Sequence, residues 1–165
     1  MKRIVIVRHA KSVPYGYDDD FNRNLKEPRG FTDPQKVSRE LQKQQILPDL
    51  MVSSPALRAR KTAHIFAETF AYPAEKIQLE DDLYEGISTH EFLERLHSLP
   101  DQHTTVYFFG HNPTLYYLIR GLAPSFNDCV PTSSSVIIDF KEDTWETISL
   151  GSGLVTLQLI PRMLN

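Results

Sequence analysis

Lys2-Arg3-Ile4-Val5-Ile6-Val7-Arg8-His9-Ala10-Lys11 decides how this chain reads. Its middle is a β-branched apolar run, the composition of a strand buried on both faces of a parallel sheet. The run stops abruptly at Arg8-His9, so the strand's carboxyl end delivers a guanidinium and an imidazole to one point. In open α/β sheets, ligands sit outside the carboxyl ends of strands. A guanidinium beside an imidazole suggests phosphate chemistry, because arginine forks two donors onto phosphate oxygens. Two further segments, 53–63 and 110–114, are built for the same place.

Working outward, Pro48–Ser53 predicts a second short strand, with Ser54-Pro55 as N-cap and first residue of a helix running to Phe70. Ile77-Gln78-Leu79 predicts a brief third strand, and Thr105–Gly110 a fourth, strongly buried one. Thr32-Asp33-Pro34 signals a helix start, with Val37 and Leu41 on its apolar face. Ser88 caps a helix bearing Phe92, Leu93 and Leu96, and Asn112-Pro113 starts another with Leu115, Leu118 and Ile119 inward. Residues 135–140 and 144–150, joined by Lys141-Glu142-Asp143, read as a hairpin, and Leu154–Ile160 as a last strand. The expected fold is α/β: a three-layer sandwich in one domain, residues 1–165. Its sheet is mainly parallel, with helices on both faces and an antiparallel edge or hairpin near the C-terminus. Residues 11–31 lack periodicity and read as a long loop beside the site, with Asp18-Asp19-Asp20 as a solvated run.

Composition narrows the function classes. The chain has 165 residues, 41% hydrophobic and 24% charged, with a net charge of −3. With no basic tract, nucleic acid and anionic membranes are poor partners. The single cysteine, Cys129, excludes an intrachain disulfide and reads as a small half-buried residue. No apolar segment approaches the roughly 20 residues that span a bilayer, and Ile4–Val7 is too short for a signal-peptide core. A cytoplasmic protein is the expectation.

Arg8-His9, Ser53–Ala63 and Gly110-His111-Asn112-Pro113 all follow strands, and two of them open helices, where free N–H groups favour an anion. Each has a plainer reading. His9 could be a surface or half-buried side chain after a strand and His111 a helix N′ residue, and Arg60 and Lys61 read as solvent-facing. Arg58 opposes the dipole of its helix and needs a partner, either a carboxylate or a bound phosphate. Taken together, the three segments predict one anion site. A neutral imidazole is a competent nucleophile toward phosphorus. Phosphoryl transfer is mostly positioning and electrostatic stabilisation, so Arg8 and Arg58 would hold the equatorial oxygens and His111 would donate a further hydrogen bond. No P-loop and no aspartate pair spaced for magnesium occurs, so fixed cations would stand in for a metal, and no cofactor is expected.

Arg8-His9-Ala10-Lys11-Ser12, the Ser53-Ser54-Pro55…Arg58-Ala59-x-x-Thr62-Ala63 stretch and the Gly110-His111-Asn112-Pro113 box resemble the histidine phosphatase superfamily, which has the phosphoglycerate-mutase-like fold. Within it, the short chain and the Arg-His-Ala-Lys-Ser form resemble the SixA-type phosphohistidine phosphatases. Asn22-Arg23-Asn24-Leu25…Arg29-Gly30-Phe31-Thr32-Asp33 is similar to that branch's Asp-Arg-Pro-Leu…Arg-Gly…Asp stretch, with Asn22 and Asn24 departing from it. The resemblance implies that His9 is the nucleophile that becomes phosphorylated, that Arg8 and Arg58 line the phosphate pocket, and that His111 is its second histidine. Ser12 falls near a polar phosphate-loop position.

Many superfamily members use a carboxylic acid to protonate the leaving oxygen. Glu85, after Leu83-Tyr84, stands either as that acid or as an exposed loop carboxylate. An alkoxide needs the proton, whereas imidazole, whose conjugate acid has a pKa of ~6.5, leaves phosphorus easily. The short chain leaves little room for a lid. The expected partner is therefore a phosphorylated protein, such as the phosphohistidine of a phosphotransfer domain. The alternatives are a phosphatase for small phosphoesters and a non-catalytic phosphate-binding module.

Overall fold

Strand β1 (Lys2–Arg8) divides the core. Its alternating side chains go to opposite faces of the sheet. Ile4 and Ile6 join one buried cluster, with Val106 and Phe108. Val5 and Val7 join another, with Tyr107 and Phe109. Both faces of the strand are therefore covered, as its unbroken apolar run requires. The structure, a computed structural model, describes residues 1–14, 16 and 19–165; Tyr15, Tyr17 and Asp18, the first residue of the aspartate run, lie outside the described residues.

The other strands are β2 (Leu50–Ser53), β3 (Gln78–Leu79), β4 (Thr105–Gly110), β5 (Ser135–Phe140) and β6 (Leu154–Leu159). They form a six-stranded sheet in the order β3-β2-β4-β1-β5-β6. The first four pair in parallel, and β5 and β6 extend the sheet antiparallel. Helices α1 (Arg29–Lys43) and α2 (Leu57–Phe70) cover one face through Val37, Leu41, Ala63 and Phe66. Helices α3 (Asp82–Glu85), α4 (Thr89–His97) and α5 (Thr114–Leu122) cover the other through Leu83, Phe92, Leu96, Leu115 and Leu118. This is the expected three-layer α/β arrangement with its antiparallel edge. Ser88 caps α4 as expected, in a reciprocal box with Glu91. Among the described residues, no helix is long and apolar enough to cross a membrane.

Two local expectations are corrected. Helix α1 starts at Arg29, ahead of Thr32-Asp33-Pro34. Gly30 makes this possible: a Cβ there would lie 2.6 Å from the Lys11 carbonyl oxygen, so only glycine lets the first turn sit this close to the segment after β1. The second correction concerns residues 144–150. They form no strand, and the partner of β5 is β6. Trp145 and Ile148 are three residues apart and both join the same core cluster, a spacing that puts them on one face of a helical turn but on opposite faces of a strand. A 3₁₀ turn at Trp145–Thr147 delivers them. The Trp145 indole N–H donates to the His103 carbonyl at 2.8 Å, and its backbone N–H donates to Asp101 Oδ1 at 3.0 Å.

Trp145→Ala should therefore cost about 3–5 kcal/mol in urea unfolding, the range for deleting a fully buried aromatic ring. A loss below about 1 kcal/mol would show that this turn is not part of the core.

Candidate active site

The site is built from three strand ends lying side by side. In the β2-β4-β1 order, Ser53 is level with Phe109 and Arg8 with Gly110. One step beyond, the His9 N–H donates to the Gly110 carbonyl at 3.0 Å and the Ser54 N–H to the Phe109 carbonyl at 2.9 Å. The ladder thus continues past the strands and sets His9, His111 and Ser54 next to one another. The His9 and His111 rings lie 5.2 Å apart, tilted by 48°. Separate stretches of sequence converge here, as the motif reading required.

Burial and charge decide the state of both rings. His9 is 6% exposed, and its Nδ1 lies 2.8 Å from the Ala10 carbonyl oxygen. A carbonyl only accepts, so Nδ1 carries the proton and Nε2 keeps a lone pair. Burial pushes the His9 pKa down to about 4, against the Ala10 hydrogen bond and with the help of the Arg58, Arg8 and Arg23 charges. His111 is pushed down to about 3, chiefly by burial, then by His9 and Arg58, with Asp20 opposing. Both imidazoles are neutral at pH 7.

Arg58 stands in the first turn of α2, 5% exposed. Its Nη1 donates to the Asp20 carbonyl at 2.6 Å and its Nη2 to Asp20 Oδ2 at 3.1 Å. Of the two partners the sequence allowed, the carboxylate is present. Asp20 does not simply face solvent as the acidic run suggested: its carboxylate also pairs with Arg23 at 3.2 Å and accepts from the Tyr84 hydroxyl at 2.9 Å. Burial raises the Asp20 pKa, but the Tyr84 and Arg58 hydrogen bonds and the arginine charges outweigh it and hold the carboxyl below its ordinary value. Thr62 fixes this helix to the segment that follows β1. Its hydroxyl accepts the Ala10 N–H at 2.8 Å and donates to the Arg58 carbonyl at 2.7 Å.

Arg8 Nη1 donates to the Val130 carbonyl at 3.0 Å. The Nε of Arg8, the Nε of Arg58 and His111 Nδ1 are buried without partners, as is the Ser133 hydroxyl. The Ser133 backbone N–H donates to the carbonyls of Arg8 and His9, both at 3.1 Å. A buried unpaired donor costs about 1–3 kcal/mol, a cost that an acceptor-rich anion within reach of the arginines would remove.

The remaining candidates are more peripheral. Ser12 is half-buried and pairs through its backbone with Leu25. Glu85 is exposed at the end of α3, and its carboxylate makes no hydrogen bond or ion pair among the described residues. Its neighbour Tyr84 reaches the site instead, packing edge-on against the His111 ring at 5.7 Å. His64 and His90 are exposed, and His97 Nε2 bonds the Ile148 carbonyl. Cys129 is exposed rather than half-buried. Among the described residues, no three His, Cys, Asp or Glu side chains gather as a metal ion would require. Asp20, Tyr84 and Ser54 are the site residues the motif reading did not assign. The signal for Asp20 was Arg58 itself, a cation at the wrong end of a helix dipole. Ser54 does not cap α2: its hydroxyl lies 2.8 Å from His111 Nε2.

No protein-family model matches the chain, and no curated protein matches it in sequence. Solved structures do. The protein histidine phosphatase SixA, solved with tungstate, superposes with a TM-score of 0.85 at 21% identity over 99% of both chains. The chain shares the SixA fold. A protein assigned as the phosphohistidine phosphatase SixA in Agrobacterium tumefaciens gives 0.75 at 23% identity, over 97% of this chain and 99% of that one. A mycobacterial glucosyl-3-phosphoglycerate phosphatase gives 0.66 at 17% identity, over 91% of this chain and 96% of that one. In this chain's version of the SixA fold, the antiparallel strand β5 is preceded by Ser133, whose N–H donates to the carbonyls of Arg8 and His9.

The ring resonances of His9, followed by NMR, should therefore show no titration near the ordinary pH of ~6.5 and a midpoint near 4. Because both folded pKa values are depressed, to about 4 and about 3, the unfolded chain binds more protons from ~6.5 downward through that range. The contribution of these rings to stability is complete above ~6.5 and is lost as the pH falls through about 4 and then about 3. A His9 midpoint near 6.5 would contradict the buried, neutral ring.

Proposed function

We propose that this chain is a cytoplasmic, metal-independent phosphatase that works through a phosphohistidine at His9 and prefers phosphohistidine on a protein as its substrate. The observation that carries the reading is the neutral His9 ring, its Nδ1 proton committed to Ala10, among the charges of Arg8, Arg23 and Arg58. In the first step the His9 Nε2 lone pair forms a bond to phosphorus, and the bond from phosphorus to the substrate nitrogen breaks. The electron pair leaves with the substrate imidazole, which departs neutral when its other nitrogen carries a proton. In the second step water attacks the phosphorus of phospho-His9, giving inorganic phosphate and free His9. The arginines hold the equatorial oxygens while charge spreads over them.

The electrostatics favour a P–N over a P–O substrate. The carboxylate in contact with the pocket arginines, Asp20, is held below its ordinary pKa, so at neutral pH it has no proton to give an alkoxide. Imidazole needs no such acid. A groove of about 400 Å³ runs beside the site between Asn112, Pro113, Tyr116 and Val130, room for more than a phosphoryl group alone.

Incubation with a radioactive small-molecule phosphoramidate should place acid-labile phosphate on the wild-type chain and none on His9→Ala, which should stay folded yet lose turnover to background. Turnover by His9→Ala would remove the nucleophile. Arg58→Ala should lower kcat/KM by on the order of 10²–10³, the cost of losing one preorganised donor to a developing charge, and should weaken inhibition by inorganic phosphate. Unchanged inhibition would count against its role. Glu85→Gln should leave P–N cleavage essentially intact. A kcat/KM for sugar phosphates above that for a phosphohistidine protein, together with a crippled Glu85→Gln, would favour the small-phosphoester reading instead.

A further inference from the structure

The Ser54 hydroxyl lies between two partners. Its oxygen accepts the Ala56 N–H at 3.2 Å and sits 2.8 Å from His111 Nε2. Ser54 is fully buried, so its own proton needs an acceptor. Among the described residues, Nε2 is the acceptor within reach of that oxygen. In the opposite arrangement, with Nε2–H donating to the hydroxyl, the Ser54 proton would be buried and unpaired, at a cost of about 1–3 kcal/mol. His111 would then present a bare Nδ1 lone pair, which repels a phosphoryl oxygen.

We propose that Ser54 is a positioning residue that holds His111 in the tautomer with its proton on Nδ1, making the ring a neutral hydrogen-bond donor to the bound phosphoryl group. This rests on the phosphatase reading above. Nδ1 is the nitrogen of His111 left buried without a partner, and its ring lies 5.2 Å from the His9 ring. The two imidazoles are thus set in opposite senses. The Ala10 carbonyl accepts a hydrogen bond from His9 Nδ1–H, which leaves the lone pair on Nε2. The Ser54 hydroxyl donates a hydrogen bond to His111 Nε2, which leaves the proton on Nδ1. His111 needs no positive charge to serve as a donor, and the second ring cannot compete with His9 as a nucleophile through Nε2.

Nitrogen-15 NMR of the free wild-type protein tests the assignment without turnover, so its outcome is separate from that of the phosphatase reading. At pH 7 His111 should show a protonated Nδ1 and an unprotonated Nε2. A proton on Nε2 would overturn the proposal. In Ser54→Ala the ring should become a mixture or shift to Nε2–H. The kcat should fall about tenfold or more, affinity for inorganic phosphate should fall in parallel, and Ser54→Thr, which keeps the hydroxyl, should restore both. An unchanged tautomer in Ser54→Ala, or an unchanged kcat and phosphate affinity despite a changed tautomer, would overturn the role given to Ser54.

Discussion

The parallel register of β2, β4 and β1 is the constraint on which the site depends. Because β2, β4 and β1 end at Ser53, Gly110 and Arg8 on the same edge of the sheet, the residue after each strand enters one small volume. A shift of one residue in any pairing would turn that strand's side chains to the opposite face. It would exchange Ile4 and Ile6 with Val5 and Val7 between the two core clusters and remove His9 from His111 in the same stroke. Core packing and site geometry are therefore set by one register, and the pairing that fills both core clusters also positions the chemistry.

Electrostatic balance is the second level of organisation. Arg8, Arg23 and Arg58 would repel one another in a dry pocket, and one carboxylate, Asp20, offsets part of that charge. What remains is positive, with both imidazoles neutral. That suits a phosphoryl dianion better than either a fully compensated or a fully cationic pocket would. Burial alone would keep the histidines uncharged, and the arginines reinforce it. Neutrality leaves His9 the lone pair that the proposed nucleophile needs, and it forces any donor role of His111 to be decided by tautomer rather than by charge.

Much of this was legible in the sequence because the informative residues sit in short segments tied to strand ends. Arg8-His9, Ser53–Thr62 and Gly110–Pro113 each announce both an element boundary and a polar group. The α/β layering follows from apolar runs such as Ile4–Val7 and Val106–Phe109. Residues whose partners are distant in sequence were not legible. Asp20 meets Arg58 and Tyr84 only because a 3₁₀ turn brings it over the end of α2, so locally it reads as one more aspartate in an acidic run. Ser54 looks like a helix cap because a Ser-Pro pair before a helix usually provides one, yet its hydroxyl bonds His111. Trp145 misled for a related reason: its burial against residues near 101–103 is a tertiary contact, and the alternation around it imitates a strand.

A crystal structure with orthovanadate would test this picture most directly. It should show vanadium bonded to His9 Nε2, with the equatorial oxygens accepting from the guanidinium groups of Arg8 and Arg58 and from His111 Nδ1. Vanadate bonded to another residue, or held away from both histidines, would contradict it.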